Sequence, residues 1–328
     1  MLRIGEIEIT PNVLLAPMAG LTDRPFRDLV ASFGAGLVVS EMVATAEWLA
    51  DHAGTRAKTE IAAGARASAV QLMGRDPARM AEAARRLAGE GAQIIDINMG
   101  CPARKVTTGA AGSALMREPA LALEIIEAVV EASAVPVTVK MRLGWDEETV
   151  SAPELAMSAE SVGVQMITVH GRTRCQFYRG EADWAAIRAV VEAVSIPVIA
   201  NGDVVNTTTA RRALQLSGAA GVMVGRGATG RPWRLAQIAA DLAGAPPIED
   251  PSADRIADIA IAHYEATLGF YGIEPGLRCA RKHLDAYLKQ LPGGPEARPR
   301  LIRSTDPREV ISGLRALGAC ETPRGLAA

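Results

Sequence analysis

The amino-acid sequence predicts an α/β protein in which a (β/α)8 TIM barrel precedes a small all-helical domain. Over the first 230 residues, eight short runs rich in Val, Ile and Leu alternate with stretches of helical character. Each run is almost continuously apolar, which is typical of parallel strands buried on both faces. Eight such strands close a barrel of about 250 residues. Beyond Trp233 the strand-like runs stop and helical stretches continue alone.

Each predicted strand is a short β-branched run. A doubly wound open sheet is the competing arrangement of such strands. Polar residues cluster at the carboxyl ends of at least six of them, where a barrel holds its active site, and this favours the barrel. The eight predicted strands cover residues 12–20, 36–43, 68–74, 92–100, 135–144, 164–172, 196–204 and 221–227.

The helices between the strands are predicted from their first residues. Asp76 and Pro77 occupy the N-cap and first helical positions of a helix over 76–91. A second clear helix covers 183–194. In the C-terminal part, helices are predicted over 253–270, 275–291 and 306–317.

A segment rich in proline and acidic residues, 243–254, is typical of a linker between domains. With 328 residues the chain is long enough for a barrel and a smaller partner. We therefore expect a barrel domain over 1–243 and a helical domain over 244–328.

The composition restricts the class of protein. The chain is 49% apolar and 4% aromatic, which suits a packed α/β protein and argues against disorder. Its first ten residues carry acids where a signal peptide needs an apolar stretch, and no apolar run approaches about 18 residues. We expect a cytoplasmic protein without a membrane partner. The four cysteines form no C-x-x-C pair, so we expect no metal site and no disulfide framework.

Charge is distributed unevenly along the chain. The formal net charge is −2, which is not typical of a nucleic-acid-binding protein. Residues 275–303, however, contain seven Lys or Arg and two acids, a local net charge of +5. This cluster is either a surface that faces phosphates or a solvated helix face with ordinary pairs such as Arg281–Asp285. Charge alone does not choose between the two.

Polar side chains meet where the predicted strands end. Side chains alternate along a strand, so every second residue near its end faces the barrel axis. This places Gln71, Asn98, Lys140 and His170 at one mouth of the barrel, beside Cys101 on a Gly-Cys-Pro turn. Because unpaired buried polar groups are costly, the convergence predicts a functional site. The same alternation turns Ala69, Met73, Asp96, Thr138, Arg142 and Thr168 toward the axis.

Glycine-rich segments follow the last two strands, at 200–204 and 224–230. A barrel often binds phosphate in these loops. The second segment matches G-x-G-x-x-G, but that fingerprint belongs after the first strand of a βαβ unit, so a dinucleotide fold is not indicated. A phosphate site near Lys140 and Gln71 suits flavin mononucleotide, with both side chains at the pyrimidine edge of the ring. The alternative is a glycine-rich turn without a ligand.

Several of these segments together resemble the tRNA-dihydrouridine synthases, most closely the bacterial B type of that family. The resemblance extends from about residue 3 to residue 291 and includes the stretch RCARKHLDAYL in the helical domain. The N-M-G-C-P stretch is its most specific part. The segments are APMAGLTDRPFR (16–27), QLMG (71–74), DINMGCPARKV (96–106), AGSAL (111–115), VKMRLGW (139–145), HGRTR (170–174), ANGDV (200–204) and GRGATGRPW (225–233).

The resemblance implies FMN in the barrel, NADPH as reductant and a D-loop uridine of tRNA as substrate. It also implies that Cys101 is the catalytic proton donor. Carried over by position, the cofactor-binding residues are Ala16, Pro17, Met18, Gln71, Lys140, His170, Asn201, Gly202, Asp203, Gly225 and Arg226. The substrate-binding residues are Asn98, Arg142, Arg172, Arg278, Arg281 and Lys282.

The implied chemistry explains a cysteine at this position. The C5=C6 bond of uracil is conjugated to the C4 carbonyl, so C6 accepts hydride from the reduced flavin while negative charge develops toward C5. A proton must then reach C5 in a site from which the stacked base excludes water. A thiol is largely protonated at neutral pH and releases its proton more readily than an alcohol. Cys101 would serve in this way.

Two other functions are compatible with parts of the sequence. A different FMN-dependent barrel could act on a free pyrimidine or an enone, and it would share the flavin residues without needing the basic helices. The chain could also be a non-catalytic RNA-binding barrel, against which Cys101, Lys140 and His170 argue. The sequence leaves open the modified uridine, the preference for NADPH over NADH and the oligomeric state.

Overall fold

The computed structural model describes residues 2–62 and 64–320. Contacts between residues divide the chain into two compact units. Among the described residues, the barrel unit comprises those up to Gly227 together with Arg234–Pro246, and the helical unit comprises Ala228–Trp233 and residues 247–320. Each unit contains its own buried apolar residues.

The strands are short and lie in the barrel unit. They are β1 (Leu2–Ile4), β2 (Ile7–Ile9), β3 (Val13–Leu15), β4 (Leu37–Val39), β5 (Val43–Ala44), β6 (Ser68–Met73), β7 (Ile94–Met99), β8 (Val137–Arg142), β9 (Met166–His170), β10 (Val198–Asn201) and β11 (Gly221–Val224).

The helices surround the strands and then continue alone. In the barrel unit they are α1 (Arg24–Ser32), α2 (Thr45–Leu49), α3 (Ala53–Thr59), α4 (Pro77–Gly89), α5 (Arg104–Thr107), α6 (Pro119–Ala132), α7 (Ala152–Ser161), α8 (Trp184–Ala193), α9 (Thr207–Ser217) and α10 (Arg234–Leu242). In the helical unit they are α11 (Ala253–Tyr271), α12 (Ile273–Leu288), α13 (Gly294–Leu301) and α14 (Pro307–Gly318). Short 3-10 helices cover Gly112–Arg117 and Arg226–Ala228.

Eight parallel strands form a closed barrel, which confirms the predicted fold class. The strands pair in the order β4, β3, β11, β10, β9, β8, β7, β6, and β4 also pairs with β6, which closes the ring. Each of the eight predicted strand ranges contains one of these strands. The two-residue strand β5 adds to β6, and its first residue falls within the predicted second strand.

Side-chain caps explain where two of the surrounding helices begin. The Asp76 carboxylate accepts a hydrogen bond from the backbone N–H of Arg79 at 2.9 Å, with Pro77 in the first turn of α4. The Asp183 carboxylate caps α8 in the same way. Both predicted helix starts are confirmed, because a carboxylate at the N-cap satisfies a backbone donor that has no partner within the helix.

The strand register places the polar residues in rows across neighbouring strands. Gln71 lies opposite Asp96, which lies opposite Thr138. One step nearer the carboxyl ends, Asn98 lies opposite Lys140. Residues in one row of a barrel face the axis together, so the register brings these side chains within bonding distance.

An antiparallel hairpin of β1 and β2 precedes the barrel and was not predicted. Its strands have three residues each, which is too short for a recognisable alternation of polar and apolar residues. Ile4 and Ile9 are buried in one cluster with Ala67 and Ile94, which stand at the amino ends of barrel strands. The hairpin thus covers the amino end of the barrel with apolar side chains.

In the helical unit, α11 packs against α12 and α14, and α12 packs against α13. Its interior is partly polar, since the His263 Nδ1 atom lies 3.1 Å from the Tyr287 hydroxyl. The three predicted helices are present. Helix α13 was missed because Pro299 lies inside it, where proline argues against a helix. Among the residues that the structure describes, no helix is both long enough and apolar enough to cross a membrane.

Candidate active site

A chain of hydrogen bonds connects buried side chains of the neighbouring strands β6, β7 and β8. The Thr138 hydroxyl and the Gln71 Nε2 atom each donate to the Asp96 carboxylate at 2.6 Å. The Asn98 Nδ2 atom donates to the Gln71 Oε1 atom at 2.7 Å. All four residues are buried. The convergence of Gln71 and Asn98 predicted from strand alternation is therefore present, and Asp96 joins them.

The turn that carries Cys101 is held through several of its backbone polar groups. The Asn98 Oδ1 atom accepts from the backbone N–H groups of Gly100 and Cys101 at 3.2 and 3.0 Å. The Cys101 carbonyl accepts from the Ser113 hydroxyl at 2.8 Å and from the Ser113 N–H at 3.2 Å. The Arg142 Nε atom donates to the Gly100 carbonyl at 2.8 Å. The half-buried Cys101 thiol thus stands on a fixed backbone.

The 3-10 helix Gly112–Arg117 approaches this turn closely, and glycine makes the approach possible. Gly112 has φ of +60°, and a Cβ atom there would lie 3.0 Å from the Cys101 carbonyl oxygen and 2.8 Å from a Val106 methyl carbon. Such contacts are too short for a side chain, and positive φ is unfavourable for most residues. Gly112 therefore lets Ser113 reach the Cys101 carbonyl.

Lys140 is a buried cation at the centre of the mouth. Its Nζ atom donates to the Asn201 Oδ1 atom at 2.9 Å, and the Asn201 Nδ2 atom donates to the Met223 carbonyl at 2.8 Å. Burial and the nearby Arg142 guanidinium lower the pKa of Lys140 to about 8, while the charge of Asp96 opposes the shift. The ammonium form is therefore still favoured at pH 7.

His170 is a neutral imidazole in this site. Burial, and then the positive charges of Lys140, Arg142 and Arg172, hold the pKa of His170 well below its usual value. Gly202 lies directly against the ring, since a Cβ atom on Gly202 would be 2.7 Å from the His170 Cδ2 atom. A neutral imidazole can accept as well as donate a hydrogen bond.

Two arginines predicted to bind substrate are buried and organise the loop after β9. Arg142 donates from Nη1 to the carbonyls of Thr173 and Phe177 at 2.8 and 2.9 Å. Its Nη2 atom makes no hydrogen bond within residues 2–62 and 64–320. Arg172 donates to the carbonyls of Arg179 and Gly180. Most of the side-chain N–H groups of these two arginines are therefore bonded within the protein, and their contacts to substrate stay a prediction.

Arg172 also forms an ion pair with the predicted phosphate-binding residue Asp203. The Arg172 Nη2 atom lies 2.5 Å from one Asp203 oxygen, and Nη1 lies 3.1 Å from the other. Asp203 also accepts from the Ala182 N–H at 2.8 Å and has φ of +51°. Arg172 lowers the pKa of the Asp203 carboxyl, although burial opposes the shift. Asp203 is thus an ionised residue in a constrained turn.

The glycine-rich loop after β11 lies beside the segment after β3. A Cβ atom on Gly225 would meet the Met18 sulfur at 3.7 Å and the Ala16 Cβ atom at 3.8 Å, and Ala16 donates its N–H to the Val224 carbonyl. The side chain of Arg226 is 67% exposed and its guanidinium is 3.9 Å from the Asp203 carboxylate. Gly225, predicted to bind phosphate, therefore adjoins Ala16 and Met18, predicted to line the ring. Pro17 lies between these two in the sequence.

Tyr178 stands exposed at the mouth and was not singled out in the sequence. Its ring centroid lies 5.2 Å from the Arg226 guanidinium and 5.6 Å from that of Arg142. The ring is 6.3 Å from the His170 ring, centroid to centroid, and the residue is 55% exposed. Asp96 was placed toward the barrel axis from its spacing of two residues before Asn98 on one strand, but it was assigned no role. Ser113 was not singled out either.

The remaining predicted substrate residues, Arg278, Arg281 and Lys282, lie on α12 in the helical unit. All three are exposed, and none forms an ion pair within the part of the chain that the structure describes. Asp285 pairs with Lys289 at 2.7 Å and with Arg298, so the pair Arg281–Asp285 considered from the sequence is not formed. These three cations are therefore available to an anionic partner.

Comparison with known proteins identifies relatives over nearly the whole chain. The family model described as dihydrouridine synthase matches residues 14–319. A Rhodobacter capsulatus protein named "Probable tRNA-dihydrouridine synthase" is 56% identical over 96% of this chain and 97% of its own length. The tRNA-dihydrouridine synthase B of Pseudomonas putida is 44% identical over 96% of this chain and 93% of its own.

Solved structures share the fold at low sequence identity. Morphinone reductase in complex with tetrahydroNAD matches with a TM-score of 0.50 at 15% identity, over 76% of this chain and 92% of its own. Histamine dehydrogenase from Rhizobium matches with a TM-score of 0.55 at 14% identity, over 82% of this chain and 50% of its own. At these identities the likeness concerns the barrel fold alone.

Proposed function

Because the chain belongs to the dihydrouridine synthase family of oxidoreductases, we propose that it reduces the C5=C6 bond of a D-loop uridine in tRNA to 5,6-dihydrouridine. FMN is the proposed cofactor and NADPH the proposed reductant. The observation that carries this proposal is the half-buried Cys101 on a turn held by hydrogen bonds, in the same mouth as the Lys140 ammonium. A tRNA substrate is consistent with the expected cytoplasmic location.

The residues of the mouth fit a flavin mononucleotide. Within the described residues, Lys140 makes one hydrogen bond, and the buried Thr168 hydroxyl makes none. Both can therefore serve the polar edge of a ring. Gly225 leaves open space beside Ala16 and Met18, which a Cβ atom there would meet only at ordinary contact distances. The donor set thus suits a planar, polar-edged group with an anionic tail near the exposed Arg226.

The division of labour among the cofactor residues follows from their chemistry. Ala16, Pro17 and Met18 would line the flat ring, and Gln71 with Lys140 would contact its pyrimidine edge. The residues that would hold the ribityl chain and the phosphate are Asn201, Gly202, Asp203, Gly225 and Arg226. The positive charge of Lys140 would stabilise negative charge on the reduced ring.

Cys101 supplies the proton in the proposed reaction. FMN, when bound and reduced, would supply the hydride for uracil C6. The Cys101 thiol would then donate its proton to C5. Asn98 and the neutral His170 would orient the uracil or the ring. Arg142, whose Nη2 atom has no hydrogen-bond partner among the described residues, and Arg172 are the proposed contacts to the flipped nucleotide.

The two parts of the chain would act on different parts of the substrate. Residues 1–243 would form the FMN-binding catalytic domain and residues 244–328 the tRNA-binding domain. A base inside folded tRNA must be unstacked before it can react, at a cost of a few kcal/mol. Phosphate contacts from Arg278, Arg281 and Lys282 would offset that cost.

Mass spectrometry of nucleosides tests the function directly. Unmodified tRNA is incubated with the purified protein and NADPH, then digested. The expected result is a dihydrouridine peak that is absent without NADPH, and mapping of fragments then names the modified position. Yellow protein that NADPH bleaches but that forms no dihydrouridine would favour the alternative flavoenzyme, acting on a free pyrimidine or an enone. Colourless protein that cannot be loaded with FMN would contradict the cofactor assignment.

Replacement of Cys101 by alanine tests the proton donor. We expect Cys101→Ala to leave flavin reduction by NADPH intact and to block dihydrouridine formation, because C5 then lacks its proton source. Cys175→Ala is the matched control, since Cys175 is another half-buried cysteine of the barrel unit. Stopped-flow absorbance follows the flavin, and nucleoside analysis follows the product. Wild-type product formation by Cys101→Ala would refute the role.

A further inference from the structure

We propose that Asp96 is a positioning residue that orients the Cys101 turn through the side-chain amides of Gln71 and Asn98. This inference rests on the proposed function, in which Cys101 must face the substrate. Asp96 does not contact the turn itself, because its carboxylate is bonded to Thr138 and Gln71. Its effect passes along two amides, each of which can point in either of two directions.

The direction of each amide is determined at both ends of the chain. An ionised carboxylate only accepts hydrogen bonds, so Gln71 must turn its Nε2 atom toward Asp96. The Gln71 Oε1 atom then faces Asn98 and accepts from its Nδ2 atom. The Asn98 Oδ1 atom is left for the turn. At that end the N–H groups of Gly100 and Cys101 can only donate, and they require the same orientation.

Of the groups that hold the turn, the side-chain amide of Asn98 is the one that could exchange the positions of its oxygen and nitrogen without changing the shape of the side chain. The carbonyls of Gly100 and Cys101 are held by the Arg142 guanidinium and by Ser113, which can only act as donors there. A reversed Asn98 would instead bring its NH2 group against two backbone donors and leave buried polar groups unpaired, which is unfavourable. Asp96 opposes that reversal because it fixes Gln71.

The electrostatics of Asp96 are consistent with this role. Burial raises the pKa of Asp96 to about 6, while the hydrogen bonds from Thr138 and Gln71 and the charge of Lys140 oppose the shift. The carboxylate is therefore mainly ionised at neutral pH and above. A neutral amide of the same shape could also serve, provided that the Thr138 hydroxyl rotates to accept from it. The substitution Asp96→Asn therefore preserves the acceptor that faces Gln71.

Four variants separate orientation of the amides from charge and from packing. Asp96→Ala removes the acceptor that faces Gln71. Asp96→Asn keeps this acceptor, because the Thr138 hydroxyl can accept from the introduced NH2 group and so turn the introduced oxygen toward Gln71. The double variant Asp96→Asn with Thr138→Val removes that hydroxyl, and with it the partner that orients the introduced amide. Thr138→Val alone, measured at pH 8 where the carboxylate is ionised, controls for loss of the hydroxyl. The single Asp96→Asn and Thr138→Val changes should therefore be mild, and the double change severe.

The experiment measures single-turnover reoxidation of NADPH-reduced holoenzyme by unmodified tRNA. We expect Asp96→Ala and the double variant to lower this rate about 10- to 100-fold, as a misplaced reacting group does. Flavin reduction by NADPH and the Kd for tRNA should change less than about 3-fold. Asp96→Asn should stay within the same limit. A reoxidation rate for Asp96→Ala equal to wild type, or a loss in Asp96→Asn as large as in Asp96→Ala, would overturn the proposal.

A second readout does not depend on tRNA. Iodoacetamide alkylation of Cys101, followed by peptide mass spectrometry with Cys175 as internal reference, should change several-fold in Asp96→Ala and remain at the wild-type rate in Asp96→Asn. If tRNA fails to reoxidise wild-type enzyme, the proposed function fails while this comparison still tests the orientation of the turn. If Asp96→Ala does not fold, the isosteric Asp96→Asn and double variants carry the test, and equal alkylation rates in the two would refute the proposal.

Discussion

At the scale of single residues, burial sets the protonation of the mouth. Lys140 and Asp96 are both buried, and burial shifts their pKa values toward each other, to about 8 and about 6. Both charged forms still dominate at pH 7, and the two charges partly stabilise one another. The imidazole of His170 is neutral because nearby cations add to the effect of its burial. The site thus contains an ammonium, a carboxylate and a neutral ring at one pH.

The low pKa of Lys140 predicts how stability depends on pH. The pKa falls from 10.5 in the unfolded chain to about 8 in the fold, so between these values the unfolded state alone binds the proton and stability rises with pH. The contribution of Lys140 to the free energy of unfolding should rise by about 2 kcal/mol from pH 7 to about pH 9.5.

Urea unfolding of flavin-free wild type and Lys140→Met at several pH values measures this contribution. The difference between the two proteins should move in favour of wild type as the pH rises, because other titrating groups cancel in the comparison. A difference that does not vary with pH would contradict the buried, shifted lysine.

At the scale of elements, the basic cluster contains unpaired cations on α12 and paired cations after the end of that helix. Lys289 and the α13 residue Arg298 share Asp285, and Arg300, also on α13, pairs with Glu309. Arg281 and Lys282 follow Arg278 by three and four residues, which places all three on one exposed face of the helix. The sequence left open whether the basic cluster faces phosphates or forms ordinary ion pairs. The structure shows ordinary ion pairs for one part of the cluster and unpaired, exposed cations for another.

Neutralising the unpaired face should weaken tRNA binding. The triple change Arg278→Gln, Arg281→Gln and Lys282→Gln should raise Kd and reduce the slope of log Kd against log salt by about 2 to 3, since each phosphate contact releases about one counterion. The matched control changes Lys289, Arg298 and Arg300 to Gln, which removes the same charge from residues that already have partners. Filter binding at low and high salt measures both. Affinity unchanged at every salt concentration would exclude this face from tRNA binding.

At the scale of the whole molecule, the basic cluster and the proposed active-site residues lie in different parts of the chain. The net charge of −2 conceals a local +5 over residues 275–303. The proposed reactive residues lie in the barrel unit, where the hairpin of β1 and β2 covers the amino end of the strands. The basic cluster lies in the helical unit, so the proposed chemistry and the proposed phosphate binding are assigned to different units of the chain.

Much of this organisation follows from the sequence by itself. The eight buried strands, the caps at Asp76 and Asp183, and the alternation that directs Gln71, Asn98 and Lys140 to one mouth are local patterns, each determined by residues a few positions apart. The elements that sequence analysis missed are those with weak local signals, namely the three-residue strands of the N-terminal hairpin and the proline-containing α13.

The tertiary structure alone decided which polar groups are partners. Asp96 and Thr138 are 42 residues apart, and Lys140 and Asn201 are 61 apart, so no local pattern could pair them. Their pairing depends on the strand register and on barrel closure, which are properties of long-range backbone hydrogen bonds. The burial that shifts the pKa values of Lys140 and Asp96 also arises only when all eight strands surround them. The sequence thus determines which chemical groups reach the mouth, and the closed barrel determines their partners and their charge.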